Sequence, residues 1–135
     1  MKDRVFLDSN ILIYSIDKFK SESVESIFKS ENNIYISTQV INEFINVCIK
    51  KQLLEINNIS QSVKKFIETF NLVIITETTI YSASELKEKY RYSFYDSLII
   101  SSAIENECSV LYAEDLKNSQ LIEGKIKILN PFVLN

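Results

Sequence analysis

Four acidic residues stand where apolar segments end or at the border of an apolar helix face. They are Asp8 after Val5-Phe6-Leu7, Glu43 within Val40-Ile41-Asn42-Glu43-Phe44-Ile45, Asp96 before Leu98-Ile99-Ile100, and Asp115 after Val110-Leu111-Tyr112-Ala113. A carboxylate set against core residues loses hydration, and its charged form is disfavoured unless something positive meets it. The chain has no histidine. The natural positive partner for several converging carboxylates is therefore a hard divalent cation that prefers oxygen ligands, such as Mg²⁺ or Mn²⁺. Such an ion activates a bound water and stabilises charge that develops on a phosphodiester. The residue types point toward metal-dependent phosphodiester hydrolysis.

Each acid also has a plain structural role open to it. Asp8 can cap a helix that begins near Asn10, although Ser9 and Asn10 put a hydroxyl and an amide beside it, groups that can orient a metal ligand or a bound water. At roughly 100° per residue, Val40, Ile41, Phe44, Ile45, Val47 and Cys48 form one apolar arc, and Glu43 falls at its border next to Val47. From that position a glutamate can reach over the core rim into a cleft or snorkel to solvent. Asp96 can serve the first turn of the helix it opens. Asp115 can cap a short helix from Leu116, with Glu114 beside it facing the other way. The combination says more than any member, because all four acids lie close to segments that build a sheet or its covering helices.

Those segments alternate. Residues 4–7, 34–36, 72–75, 110–113 and 126–129 read as short apolar strands, with 72–75 the most strand-like run. Helical spacing of apolar residues covers 10–16, 21–29, 38–52, 59–70, a stretch from 78 or 79 to 90, and 95–105, with a brief helix near 116–120. Thr38 and Thr78 or Thr79 are the expected N-caps, and Asn32-Asn33 breaks the pattern before the second strand. Continuous apolar strands alternating with helices predict an α/β fold whose parallel sheet is covered on both faces. Functional groups in such sheets gather beyond the carboxyl ends of the strands, where Asp8 and Asp115 fall.

At 135 residues the chain suits one domain spanning 1–135 and is short for two. No apolar run approaches the ~18 residues that span a bilayer, and Met1-Lys2-Asp3-Arg4 leads straight into a strand, so no membrane association and a cytoplasmic location are expected. The absence of histidine excludes Ser-His-Asp and Cys-His mechanisms and zinc sites with His ligands. A single glycine, Gly124, excludes Gly-rich phosphate loops. Cys48 and Cys108 form no C-x-x-C pair and read as two buried free thiols. The net charge of −3 lacks the basic signature of a strong nucleic-acid binder. Any such contact must use local charge, for example Lys50-Lys51, Lys64-Lys65, or Lys87, Lys89 and Arg91.

Five segments resemble, in order, the PIN-domain family and within it the VapC-like toxins of toxin–antitoxin pairs. They are Phe6-Leu7-Asp8-Ser9-Asn10, Gln39-Val40-Ile41-Asn42-Glu43-Phe44, Phe94-Tyr95-Asp96-Ser97-Leu98-Ile99, Leu111-Tyr112-Ala113-Glu114-Asp115-Leu116 and Ile128-Leu129-Asn130-Pro131-Phe132. The resemblance implies a PIN-like three-layer α/β fold with a parallel central sheet flanked by helices. It also implies an endoribonuclease, a hydrolase that uses Mg²⁺ or Mn²⁺ and leaves a 5′-phosphate and a 3′-hydroxyl. Asp8, Glu43, Asp96 and Asp115 would be its catalytic, metal-binding acids, supported by Ser9 and Asn10. A homodimer is implied, as is a small antitoxin that often sets a basic side chain in the acidic cleft. Ala113 departs from the family, whose members usually carry Ser or Thr two residues before the last acid.

Two other readings compete. A haloacid-dehalogenase-like phosphatase also uses a strand-terminal aspartate, but it needs an aspartate two residues later, where this chain has Asn10. An amide cannot donate a proton to a leaving group as a carboxylic acid does. A non-catalytic PIN scaffold kept for nucleic-acid or protein contacts would show no turnover.

Overall fold

The computed structural model describes residues 3–17, 21–31 and 33–133; Met1, Lys2 and Asn32, which the sequence reading used, lie outside them. Strands β1 (Val5–Leu7), β2 (Ile34–Ser37), β3 (Asn71–Val73), β4 (Val110–Tyr112), β5 (Leu121–Ile122) and β6 (Ile126–Leu129) form one sheet in the order β3-β2-β1-β4-β6-β5. All pairings are parallel except that of β5 with β6. Parallel neighbours need long crossovers: up to β4 they run through α1 (Ser9–Ser15), α2 (Ser21–Ser30), α3 (Thr38–Lys50), α4 (Ile56–Thr69), α5 (Glu77–Tyr90) and α6 (Phe94–Glu105), and from β4 to β6 through an irregular segment and β5. This is the expected α/β architecture, a mostly parallel sheet flanked by helices.

β1 lies at the centre, with Val5 level with Ile34 on one side and Val110 on the other. All three of its residues are buried, as a strand covered on both faces requires. The chain steps from β1 to β2 to β3, then returns through α5 and α6 to place β4 on the opposite side of β1. That reversal opens a crevice beyond the carboxyl ends of β1 and β4, the place where open α/β sheets bind ligands. α6 is buried from Ser97 through Ala103, which matches a helix apolar on more than one side. The hydroxyls it carries inward are satisfied: Ser101 Oγ donates to the Thr79 carbonyl at 3.0 Å.

Several local expectations are corrected. Ser37, not Thr38, caps α3, its Oγ accepting from Val40 N at 3.2 Å. Thr38 Oγ1 instead accepts from Ile75 N at 3.2 Å. That side-chain bond takes the donor a longer β3 would use, so the strand ends at Val73 and Ile74 is 72% exposed. Thr76 caps α5 in a reciprocal box with Thr79, two residues before Thr78 and three before Thr79, the expected caps. α3 ends at Lys50 and Gln52 turns left-handed, φ 53°. No helix forms near 116–120, because the backbone there pairs with β6: Ser119 N donates to Ile128 O at 2.7 Å and Ile128 N to Gln120 O at 2.9 Å. The hairpin β5–β6 was not expected. Its turn has positive φ at both Glu123 and Gly124, as a type I′ turn requires.

Both cysteines are free and buried, and burial pushes the Cys108 thiol up to about 12. No helix among the described residues is long and apolar enough to cross a membrane.

Candidate active site

Asp8 continues β1 by one residue, its N–H donating to the Tyr112 carbonyl at 3.0 Å. Its side chain is 3% exposed, and Oδ1 accepts from Ser9 N at 2.6 Å as the N-cap of α1. The plain role and the candidate chemical role therefore coexist in one carboxylate. Ser9 Oγ lies 3.0 Å from Glu43 Oε1 and 3.3 Å from Asp8 Oδ1. A hydroxyl has one proton, so Ser9 cannot fully satisfy both charges at once.

Glu43 is half-buried on α3 at the border of its apolar face, reaching over the rim rather than snorkelling away. Gln39, one turn earlier, donates from Nε2 to Glu43 Oε2 at 2.9 Å. Asp96 lies half-buried in the first turn of α6, where Ser93 Oγ accepts its N–H at 3.1 Å. Asp115 is exposed on the irregular segment after β4, and its Oδ2 accepts from Asn10 Nδ2 at 3.2 Å. It caps no helix. Glu114 turns elsewhere, accepting from the Tyr14 hydroxyl at 2.5 Å. Asp8, Ser9, Asn10, Glu43, Asp96 and Asp115 all line one cleft of about 350 Å³, together with Ile13, Tyr14, Val47 and Lys51.

Burial is the main reason the Asp8 carboxyl is pushed up to about 7, and the negative charges of Glu43 and Asp96 add to it against the lowering effect of the Ser9 hydrogen bonds. Asp96 is also raised, first by burial, with Asp115 adding to it and Ser93 opposing. Near neutral pH the cleft therefore holds an acid that is ready to ionise, and Lys51 brings a positive charge to the same cleft.

The donor set fits a hard cation: every group is a carboxylate, hydroxyl or amide oxygen. Among the described residues, no three acidic or thiol side chains already converge into a closed cage. An ion of the Mg²⁺ type takes one or two carboxylates and keeps its waters, so a closed cage is not what it needs. Asp8 with one neighbour supplies that minimum. Two residues at the site were not picked out in the sequence. Gln39, which bonds Glu43, was legible, being four residues before it and thus on the same helix face. Tyr14 carried no separate signal, because only folding brings it beside the acids, and Lys51, read in the sequence only as local charge for a nucleic-acid contact, lines the cleft itself.

A family model for the PIN domain matches residues 5–121. The chain belongs to the PIN domain family. Solved structures agree on the fold. A toxin–antitoxin complex from Klebsiella pneumoniae matches with TM-score 0.75 at 18% identity, covering 96% of this chain and 99% of that one. A DNA-bound VapBC from Salmonella typhimurium gives 0.72 at 21%, covering 95% and 98%. The sarcin–ricin loop cleaving toxin VapC20 of Mycobacterium tuberculosis gives 0.71 at 13%, covering 82% and 89%. A curated protein, the DOP1 homolog of Plasmodium falciparum, is 32% identical over 72 residues, which is 53% of this chain. The match spans 2% of that much longer protein.

Proposed function

We propose that this PIN-domain chain is a metal-dependent endoribonuclease, the toxin of a toxin–antitoxin pair, acting as a single domain over 1–135. The observation that carries the reading is the buried Asp8 carboxyl, pushed up to about 7 in a cleft shared with Glu43, Asp96 and Asp115. PIN-domain relatives are typically nucleases, which supports hydrolysis of a nucleic acid. The toxin–antitoxin complexes among the structural neighbours support an antitoxin partner.

In this reading Asp8, Glu43, Asp96 and Asp115 hold Mg²⁺ or Mn²⁺. When bound, the ion supplies an activated water and a positive charge for the phosphoryl oxygens. The chain's own residues fix the ligands: Ser9 ties Asp8 to Glu43, Gln39 holds the other oxygen of Glu43, and Asn10 orients Asp115. Asn10 stands where a haloacid-dehalogenase-like phosphatase needs its second aspartate, and an amide cannot donate that proton. Water attack on an RNA phosphodiester leaves a 5′-phosphate and a 3′-hydroxyl. A cytoplasmic homodimer, held inactive by a small antitoxin with a basic side chain in the acidic cleft, completes the proposal.

The test is RNA cleavage by purified protein with Mn²⁺ or Mg²⁺, beside EDTA and an identically prepared Asp96→Asn variant. Activity lost in both controls supports the nuclease and its site. Activity untouched by the substitution means a contaminant or a different site. The competing reading is a non-catalytic PIN scaffold kept for nucleic-acid or protein contacts. Metal binding without turnover, on antitoxin-free protein and with transfer, ribosomal and messenger RNA all offered, would select it.

A further inference from the structure

Asp96 and Asp115 reach the cleft from different parts of the chain, one on a buried helix and the other on an exposed irregular segment. Something must hold that segment against the helix. The connection between α5 and α6 does so. Arg91 caps the end of α5 in a left-handed conformation, φ 66°, with its N–H donating to Lys87 O. A non-glycine residue there costs about 1–2 kcal/mol, so the turn needs support from its surroundings. The turn sends Tyr92 across to the segment after β4, with its ring packed on the core. Its hydroxyl accepts from Lys117 N at 3.1 Å and donates to Gln120 Oε1. On one side Tyr92 directly precedes Ser93, the cap that fixes Asp96 N. On the other, Lys117 is two residues beyond Asp115.

We infer that Tyr92 is a positioning residue of the acidic cleft, its hydroxyl pinning the Asp115 segment to the start of α6 and so setting the spacing of Asp96 and Asp115. The inference rests on the proposed metal site. Ligand distances near 2.1 Å leave little tolerance, and residues that orient ligands typically matter by roughly 10–100-fold in affinity or activity.

Tyr90 provides a matched control within the same connection. Its hydroxyl also makes two bonds, donating to Glu123 Oε2 at 2.8 Å and accepting from Glu123 N at 2.9 Å. Those bonds hold the hairpin tip, whose Glu123 does not line the cleft, and Lys89 adds an ion pair to the same glutamate at 2.6 Å. A role in general stability is therefore shared by both tyrosines, whereas a role in ligand spacing belongs to Tyr92.

The experiment is calorimetric titration of Mn²⁺ into wild type, Tyr92→Phe and Tyr90→Phe, with melting temperatures and steady-state RNA cleavage on the same samples. Tyr92→Phe should weaken Mn²⁺ binding roughly tenfold and lower kcat with KM little changed, while Tyr90→Phe keeps wild-type affinity at a similar melting temperature. Gln120→Ala, which removes the acceptor of the same hydroxyl, should move affinity in the same direction if Tyr92→Phe does not fold. Equal Mn²⁺ affinity in wild type and Tyr92→Phe, or an equal loss in both tyrosine variants, overturns the inference. A wild type that binds no Mn²⁺ removes the metal reading itself, and the positioning role with it.

Discussion

Asp8 and Asp115 follow adjacent parallel strands at the same end of the sheet, yet they meet opposite environments. Asp8 leaves a strand with no exposed residue and enters a helix at once, so its carboxylate is trapped among core groups. Asp115 leaves a strand whose outer residues are half-buried and enters an irregular, solvent-facing segment. The first carboxyl is pushed up to about 7; the second sits in water with one amide beside it. Ionising the buried acid is costly, because its carboxylate loses water that nothing in the core replaces. The exposed acid has to be held in place by its neighbours.

The largest difference between the two should appear on substitution. Asp8→Asn is expected to lower cleavage by roughly 10²–10³-fold or more, because it weakens the hold on the ion that would stabilise the developing charge. Asp115→Asn should cost less, on the order of 10–100-fold, as for a group at the edge of a metal site. Side-by-side initial rates at saturating Mn²⁺ check the ranking, and a larger loss at Asp115 would reverse the comparison.

Stability should move the other way. The native Asp8 carboxyl titrates near 7 and the unfolded one near 3.8, so between those values the folded state binds the extra proton. The contribution of this group to stability is therefore fully present below about pH 4, falls as pH rises, and is lost above about pH 7. At 1.36 kcal/mol per pKa unit, the loss is on the order of 4 kcal/mol. Metal-free wild type should melt lower at pH 8 than at pH 5.5, and Asp8→Asn should remove most of that slope and melt higher than wild type at pH 8. Thermal melts in EDTA across that range provide the check. A variant that is both more stable and inactive would mark a site where activity is kept at the expense of stability.

The smallest effect is expected at the link between the two carboxylates nearest the core. Ser9→Ala removes the hydroxyl between Asp8 and Glu43 but leaves the Ser9 N–H cap in place. It should lower Mn²⁺ affinity by about 10-fold and change stability by about 1 kcal/mol, read by calorimetry and denaturant titration.

Much of this was legible in the sequence because strong patterns coincided with burial. Val5-Phe6-Leu7 is wholly apolar and is the central strand; the apolar arc around Val40 and Phe44 is the buried face of α3. Where tertiary hydrogen bonds decide, the sequence was less informative. Thr38 looks like a cap but serves the end of β3. Residues 116–120 look helical but lend their backbone to β6. The hairpin turn was detectable in principle, since Gly124 is the one glycine and follows a two-residue strand, but a strand that short leaves no period to read. The four acids could be picked out one by one from their apolar neighbours. Their convergence depends on the strand order, which places β4 beside β1, and no local pattern encodes that.

The most direct test of the account is proton release when Mn²⁺ binds at pH 6.0, measured by calorimetry in buffers of different ionisation enthalpy. Metal ligands must be deprotonated to bind, and Asp8 is largely protonated at that pH if it titrates near 7. Binding should release roughly one proton per ion at pH 6.0, few at pH 8.5, and none attributable to this site in Asp8→Asn. Binding with no proton release at pH 6.0, or release unchanged by Asp8→Asn, would contradict it.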